Sequence, residues 1–240
     1  MKRSLRTLHA ASQGPFRCPN PRRVLVEPQR TVNVQRRTQV SAAELQFGQP
    51  LHETHPHILN AGELTPGITA LEYADRRAKL ARAMPNGSVA IFSAAEMKWR
   101  SGAVFYDYHQ DPDFFYLTGF NEPEALAVIE KTDDGEHNFH LHVRPKEAQA
   151  ELWDGARSGV QAALDVFNAD ESNDISYARH KLRDIILSAK SVYIDTPENR
   201  LMKPGPRVSK SAVWNVDGLH DLMKESKAKV QGIRQLMNEL

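Results

Sequence analysis

The side chains with the widest chemical reach in this chain are its acids and histidines. Asp154 and Asp165 are followed by His180, Glu198 and Glu239, an order of carboxylates and imidazole that could hold two divalent ions around a bridging hydroxide. Such ligands must converge from neighbouring buried strand ends. Here Asp165 falls in an amphipathic helical pattern, His180 on a charged helical face and Glu239 beside the last residue, so the set reads as a coincidence of order. His52, His55 and His57 cluster around Pro56 in polar surroundings, which fits a surface loop rather than the rigid frame that a metal requires. His140 and His142 share one face of a strand pattern, and their alternation with Phe139, Leu141 and Val143 reads as the solvated face of an antiparallel sheet.

Phosphate-cradling loops, a nucleophile elbow and a zincin helix lack support, because GxGxxG, GxxxxGK, GxSxG and HExxH are absent. One cysteine, Cys18, permits neither an internal disulfide nor a cysteine-based metal cluster. A different pattern stands at Trp153, Gly155, Arg157 and Gly159, where a large aromatic, flexible backbone and a cation share a strand-to-helix junction. That combination fits either a structural corner or an edge that faces a ligand.

The elements that must position these residues follow from periodicity. Thr69 and Glu72 form a capping box ahead of a helix over 70–84, with Leu71, Ala74, Ala78 and Ala81 as its apolar stripe and Leu80 and Met84 beside it. Arg76, Lys79 and Arg82 are then free to face water, and Pro85 to Gly87 stop the helix. Short aromatic or β-branched runs predict strands at 88–93, 113–118, 125–130, 138–143 and 191–195, with Asp133, Asp134 and Gly135 turning a hairpin between the third and fourth. Helical spacing covers 159–167 and 176–189. Residues 196–213 are rich in Pro, Gly, Lys and Ser, and a last helix is expected from Asp217 towards Leu240. The alternation predicts an α/β fold with a mixed sheet.

Composition bounds the rest. The chain has 240 residues, 40% hydrophobic and 25% charged, enough for one or two globular domains. Its longest apolar run, 125–129, is far short of the roughly 20 residues that cross a bilayer. The net charge of +1 conceals a split, since residues 1–40 hold nine Lys or Arg against the single acid Glu27. This Arg-rich, acid-poor leader, with Leu5 and Leu8 among cations, is expected to be a disordered mitochondrial presequence, cleaved on import near Arg36 and Arg37; the alternative is a disordered basic tail able to touch nucleic acid. The remainder is acidic, which argues against nucleic-acid binding.

Three long segments in fixed order carry a resemblance. They are HPHILNAGELTPGITALEYADRRAKL (55–80), FYDYHQDPDFFYLTGFNEPEA (105–125), and ELWDGARSG (151–159) with VFNADE (166–171). Together they resemble the N-terminal domain of the aminopeptidase P family, and HPH, GELTPGIT and EYADRR resemble its mitochondrial branch of Xaa-Pro aminopeptidases and intermediate cleaving peptidases.

The resemblance implies a mixed β-sheet flanked by helices, of the creatinase and aminopeptidase P N-terminal type. The implied organisation is a presequence at 1–40, a polar lead-in at 41–65, the N-terminal domain at 66–195, and a linker with a partial helix at 196–240 that leads to a catalytic "pita-bread" domain. In the family that further domain binds two ions, commonly manganese, through two Asp, one His and two Glu. No catalytic residue or metal ligand of that kind is expected within these 240 residues. Trp153 matches the family's aromatic contact at the rim of a neighbouring subunit's substrate channel, although residue type alone equally allows core packing. A homo-oligomer acting on peptide or protein N-termini is implied. The same domain type also occurs without peptidase activity, so a non-catalytic protein-binding or oligomerisation module is the alternative.

Overall fold

A computed structural model describes residues 47–194, apart from Ala103, and 219–240. The expected presequence, the linker and Glu198 lie outside the described residues. The first elements are a small hairpin, β1 (Glu63–Thr65) and β2 (Ile68–Thr69), leading into helix α1 (Ala70–Ala83). The capping box forms as expected, with the Thr69 hydroxyl accepting the Glu72 N–H at 3.2 Å.

The buried stripe of α1 differs from the one its periodicity offers. Leu71 is 71% exposed, and Tyr73, Arg77, Leu80 and Ala81 face inward. Arg77 belongs to the core because its guanidinium lies 4.1 Å over the Phe139 ring and donates to the Leu117 carbonyl at 3.0 Å. Arg76, expected in water, lies 4.3 Å from the Tyr116 ring and donates to the Tyr116 carbonyl.

After β3 (Ser88–Ser93), an exposed two-stranded ribbon is formed by β4 (Trp99–Ser101) and β5 (Val104–Phe105). The run expected as a strand over 113–118 is helix α2 (Pro112–Thr118). Aromatic β-propensity loses here to the termini. The Asp111 carboxylate accepts the N–H groups of Asp113 and Phe114 at 3.1 and 3.0 Å, Pro112 sits in the first turn, and Gly119 closes the helix at φ 65°. A Cβ on Gly119 would come within 2.8 Å of the Tyr73 ring and 2.9 Å of Leu64. Gly119→Ala is therefore expected to cost about 2 kcal/mol, against about 1 kcal/mol for Asp111→Ala. Urea midpoints for the two variants check this, and a Gly119→Ala protein as stable as the parent contradicts it.

The hairpin of β6 (Leu126–Lys131) and β7 (His137–Val143) forms as expected. It is followed by α3 (Ala148–Asp154), α4 (Gly159–Asp165), a further strand β8 (Glu171–Asp174), α5 (Ala178–Ser188) and β9 (Ser191–Ile194). The single helix expected from 217 is replaced by α6 (Leu219–Glu225), β10 (Lys229–Gly232) and α7 (Arg234–Asn238). Ser226 breaks the helix, its hydroxyl accepting the Ala228 N–H, and Lys229 then begins pairing by donating to the Lys190 carbonyl. Ile233 and Leu236 belong to this domain's own core, 1% and 7% exposed, whereas Val230 of β10 is 41% exposed.

The six-stranded sheet runs β10-β9-β3-β6-β7-β8. The pairs β10/β9, β9/β3 and β7/β8 are parallel, and β3/β6 and β6/β7 antiparallel, so the sheet is mixed as expected. One face packs Ala90, Phe92, Ile129, Phe139 and Leu141 against Leu80, Phe114, Phe167 and Leu236 from α1, α2, α7 and the turn after α4. The other packs Val89, Ile91, Leu126, Val128 and Val192 against Ala178, Leu182, Ile186 and Met223 of α5 and α6. That second layer corrects the reading of His140 and His142. They lie opposite Val128 and Leu126 on the covered face, with β8 pairing on the far side of β7, and are 6% and 1% exposed instead of solvated.

Candidate functional site: an exposed aromatic helix

Helix α3 has no buried residue. Leu152 and Trp153 are 78% and 81% exposed, so Trp153 takes no part in the core. Seven residues are too few for a helix to persist in water on propensity alone, so α3 depends on its ends. Glu147 offers no side-chain cap, and Gly155 ends the helix at φ 90°. The holding contacts come from Arg157, itself 7% exposed. Its backbone N–H donates to Glu151 Oε1 at 2.8 Å, Nη2 to Asp154 Oδ2 at 3.0 Å and Nη1 to the Pro145 carbonyl at 3.4 Å. Arg144 adds a second cation, with Nη1 4.0 Å from the same Asp154 oxygen and Nε 3.9 Å from Glu124.

Beneath this clip, Glu122 is 5% exposed, and its Oε1 accepts the Ser158 N–H at 2.9 Å. The Ser158 hydroxyl in turn accepts the Gly48 N–H at 3.2 Å. Burial pushes the Glu122 carboxyl above its usual range, against the pull of the Ser158 hydrogen bonds and the charges of Arg144 and Lys146. The seat of α3 is thus polar, held by these hydrogen bonds although Arg144 Nε and Arg157 Nε are buried without a hydrogen-bond partner, whereas its outer surface carries the exposed Leu152 and Trp153. It can grip an apolar or aromatic group of a partner, since an indole gives large contact area at small entropy cost.

The other sequence candidates are dispersed. Asp154 serves Arg157, Asp165 ends α4, and His180 is exposed on α5 with Glu239 near the end of the chain. His52 Nδ1 bonds the Leu59 carbonyl, His55 Nδ1 the Thr54 hydroxyl, and the His55 and His57 rings lie 5.8 Å apart. Among the described residues no group of three or more His, Cys, Asp or Glu is arranged to hold a metal ion. The manganese pair implied by the family resemblance therefore finds no fitting donor set among the described residues, and no chemical step runs through it here.

Two features escape a reading of the sequence alone. The ribbon β4/β5 presents Trp99 and Phe105, edge to face at 5.9 Å and 59% and 52% exposed, with Tyr106 exposed beside them. Of the aromatics in 105–120, Phe114 and Phe120 fill the core, whereas Phe105 and Tyr106 are exposed. The Ser101 and Gly102 turn between aromatic runs is the signal that marks this ribbon. Arg144 is the second, since a cation directly after a strand carries no motif of its own.

A mixed sheet covered on both faces, with an exposed aromatic helix raised on a polar seat, defines an α/β domain. Residues 73–193 match the family model described as aminopeptidase P, N-terminal domain, and the chain belongs to the aminopeptidase P family. It is 46% identical over 153 residues to intermediate cleaving peptidase 55 of Saccharomyces cerevisiae, covering 63% of this chain and 30% of that protein. With Xaa-Pro aminopeptidase 3 of Homo sapiens it shares 32% identity over 206 residues, 81% of this chain and 39% of the relative. The crystal structure of Icp55 from Saccharomyces cerevisiae superposes with a TM-score of 0.58 at 34% identity, over 75% of this chain and 38% of that one. The chain thus spans between about a quarter and two fifths of the length of the curated relatives it matches.

Proposed function

We propose that these 240 residues act as the N-terminal part of a manganese-dependent metalloaminopeptidase that removes N-terminal residues from imported mitochondrial proteins or cleaves Xaa-Pro peptides. The observation that carries this is the 46% identity to intermediate cleaving peptidase 55 over 153 residues. The basic leader at 1–40 supports a mitochondrial address. In this reading the two ions are held by the part of the enzyme corresponding to the relatives' unmatched length. The domain described here assembles a homo-oligomer and places Trp153 at the rim of a neighbouring subunit's substrate channel.

The test uses the full-length gene product with manganese, assayed for release of the first residue from an Xaa-Pro peptide and from a peptide with a free apolar N-terminus. Chelator-sensitive release is expected; its absence on both substrates sinks the peptidase reading in favour of a non-catalytic module. In the same enzyme Trp153→Ala should lower kcat/KM about tenfold with little change in melting temperature, because an exposed aromatic contributes at an interface and not to the core.

A further inference from the structure

We infer that Arg157 is a positioning residue, a guanidinium clip that holds α3 in the one orientation that presents Trp153 to its partner; this rests on the channel-rim reading of Trp153 given above. Helix α3 has little of its own to fix its orientation. It buries no residue and has no side-chain cap at its N-terminus, and at seven residues it is too short to be stable in water on propensity alone. Its orientation is therefore decided by polar contacts at its C-terminal end.

Arg157 supplies three of these from one buried residue. Its N–H takes a carboxylate oxygen of Glu151, one turn into the helix, and Nη2 takes the carboxylate of Asp154, the last helical residue. Nη1 reaches back to the carbonyl of Pro145, in the chain that enters α3. Entry and exit of the helix are thus tied to one rigid, planar group, and a cation lies where the helix dipole favours it. Asp154 is further drawn by Arg144 on the strand side. Trp153 immediately precedes Asp154, so the clip fixes the backbone from which the indole projects. Ser158, next in the chain, is anchored through Glu122, which prevents Arg157 from moving with the helix it holds.

A lysine would keep the charge and lose the fork. It can reach Asp154 or Pro145 but cannot bridge both in a fixed plane. Arg157→Lys should accordingly give partial function, and Arg157→Met, which keeps much of the buried stem, should lose the clip. Asp154→Asn is the second variant; Asp154 is exposed, so this change leaves the core intact.

The experiment is hydrogen exchange read by mass spectrometry on the full-length gene product, combined with steady-state kinetics. Arg157→Met and Asp154→Asn should speed exchange of the amides of 151–155 by about tenfold or more, the fold-change that follows loss of a charge-assisted hydrogen bond. Exchange in β6 and β7 should stay unchanged, and Arg157→Lys should restore part of the protection. Both variants should lower kcat/KM as Trp153→Ala does, and each double variant with Trp153→Ala should be no worse than Trp153→Ala alone. Unchanged exchange in α3, or faster exchange throughout the domain, overturns the clip. Unchanged kcat/KM in Trp153→Ala overturns instead the rim reading, while the exchange arm still decides whether Arg157 holds α3.

Discussion

The 240-residue chain by itself is expected to release no N-terminal residue from an Xaa-Pro peptide, whether or not manganese is added. Paired-ion hydrolysis needs ligands that fix two ions about 3.5–4 Å apart and leave a position open for hydroxide and substrate. Among the described residues no group of three or more His, Cys, Asp or Glu is arranged to hold a metal ion. Asp154 holds Arg157, Glu171 holds Lys181 and Asn173, and His142 is sealed under the second helical layer. Weak surface binding of manganese neither spaces two ions nor positions a nucleophile. The rate with this chain should stay at the uncatalysed level, whereas a working enzyme exceeds that level at least about a millionfold. Chelator-sensitive turnover by the chain that disappears in Asp154→Asn or Asp165→Asn would show that the dismissed acidic pair does assemble a centre.

The second large effect is acid lability from His142. Burial holds its imidazole down to about 4, the His140 charge lowers it further, and an opposing pull from Glu171 exceeds the remaining lowering by Lys181. Neither ring nitrogen has a hydrogen-bond partner in the protein. The unfolded chain takes up the proton near the ordinary imidazole value of about 6.5, the folded chain only near 4, so the unfolded state binds more protons between these limits. Stability is therefore complete above pH 6.5 and falls as the pH drops towards 4, by about 3 kcal/mol. Glu122 works in the opposite sense, because its raised value lets the folded state take a proton first and offsets part of the loss. Urea unfolding at pH 7, 5.5 and 4.5 measures the slope, and His142→Leu should flatten it by nearly one proton. Parallel slopes for parent and variant would refute the assignment.

The termini of elements were legible in the sequence to the extent that they rest on local chemistry. Thr69 caps α1 and the Asp133 to Gly135 turn joins β6 to β7 because those contacts span only a few residues. What lay beyond reach depends on tertiary partners. Arg77 looks like a solvent residue until Phe139 is placed beneath it, and His140 looks solvated until β8 pairs beside β7 and leaves it 6% exposed. Residues 229–232 fit a helical stripe equally well; only pairing with β9 makes them a strand. At the site, Trp153 and Arg157 were visible as a local pattern, but the role of Trp153 came through the family resemblance. That Asp154, Arg144 and Glu122 converge beneath it follows from the packing of β7, α3 and α4, which no short motif encodes.

The position of β9 between β3 and β10 has a consequence for biogenesis. Ser88 of β3 must wait for Ser191, about a hundred residues later in the chain, before that side of the strand is hydrogen-bonded. At roughly 5–20 residues per second of synthesis, the interval is roughly 5–20 s. During it β3 and its antiparallel partner β6 form a nascent sheet whose β3 edge, next to the apolar Val89 and Ile91, is unsealed, the kind of edge on which chains aggregate. Chaperone occupancy on ribosome-bound chains should thus rise once β3 emerges and fall only after β9 does, which makes the last-added strands the step that ends this chain's dependence on help.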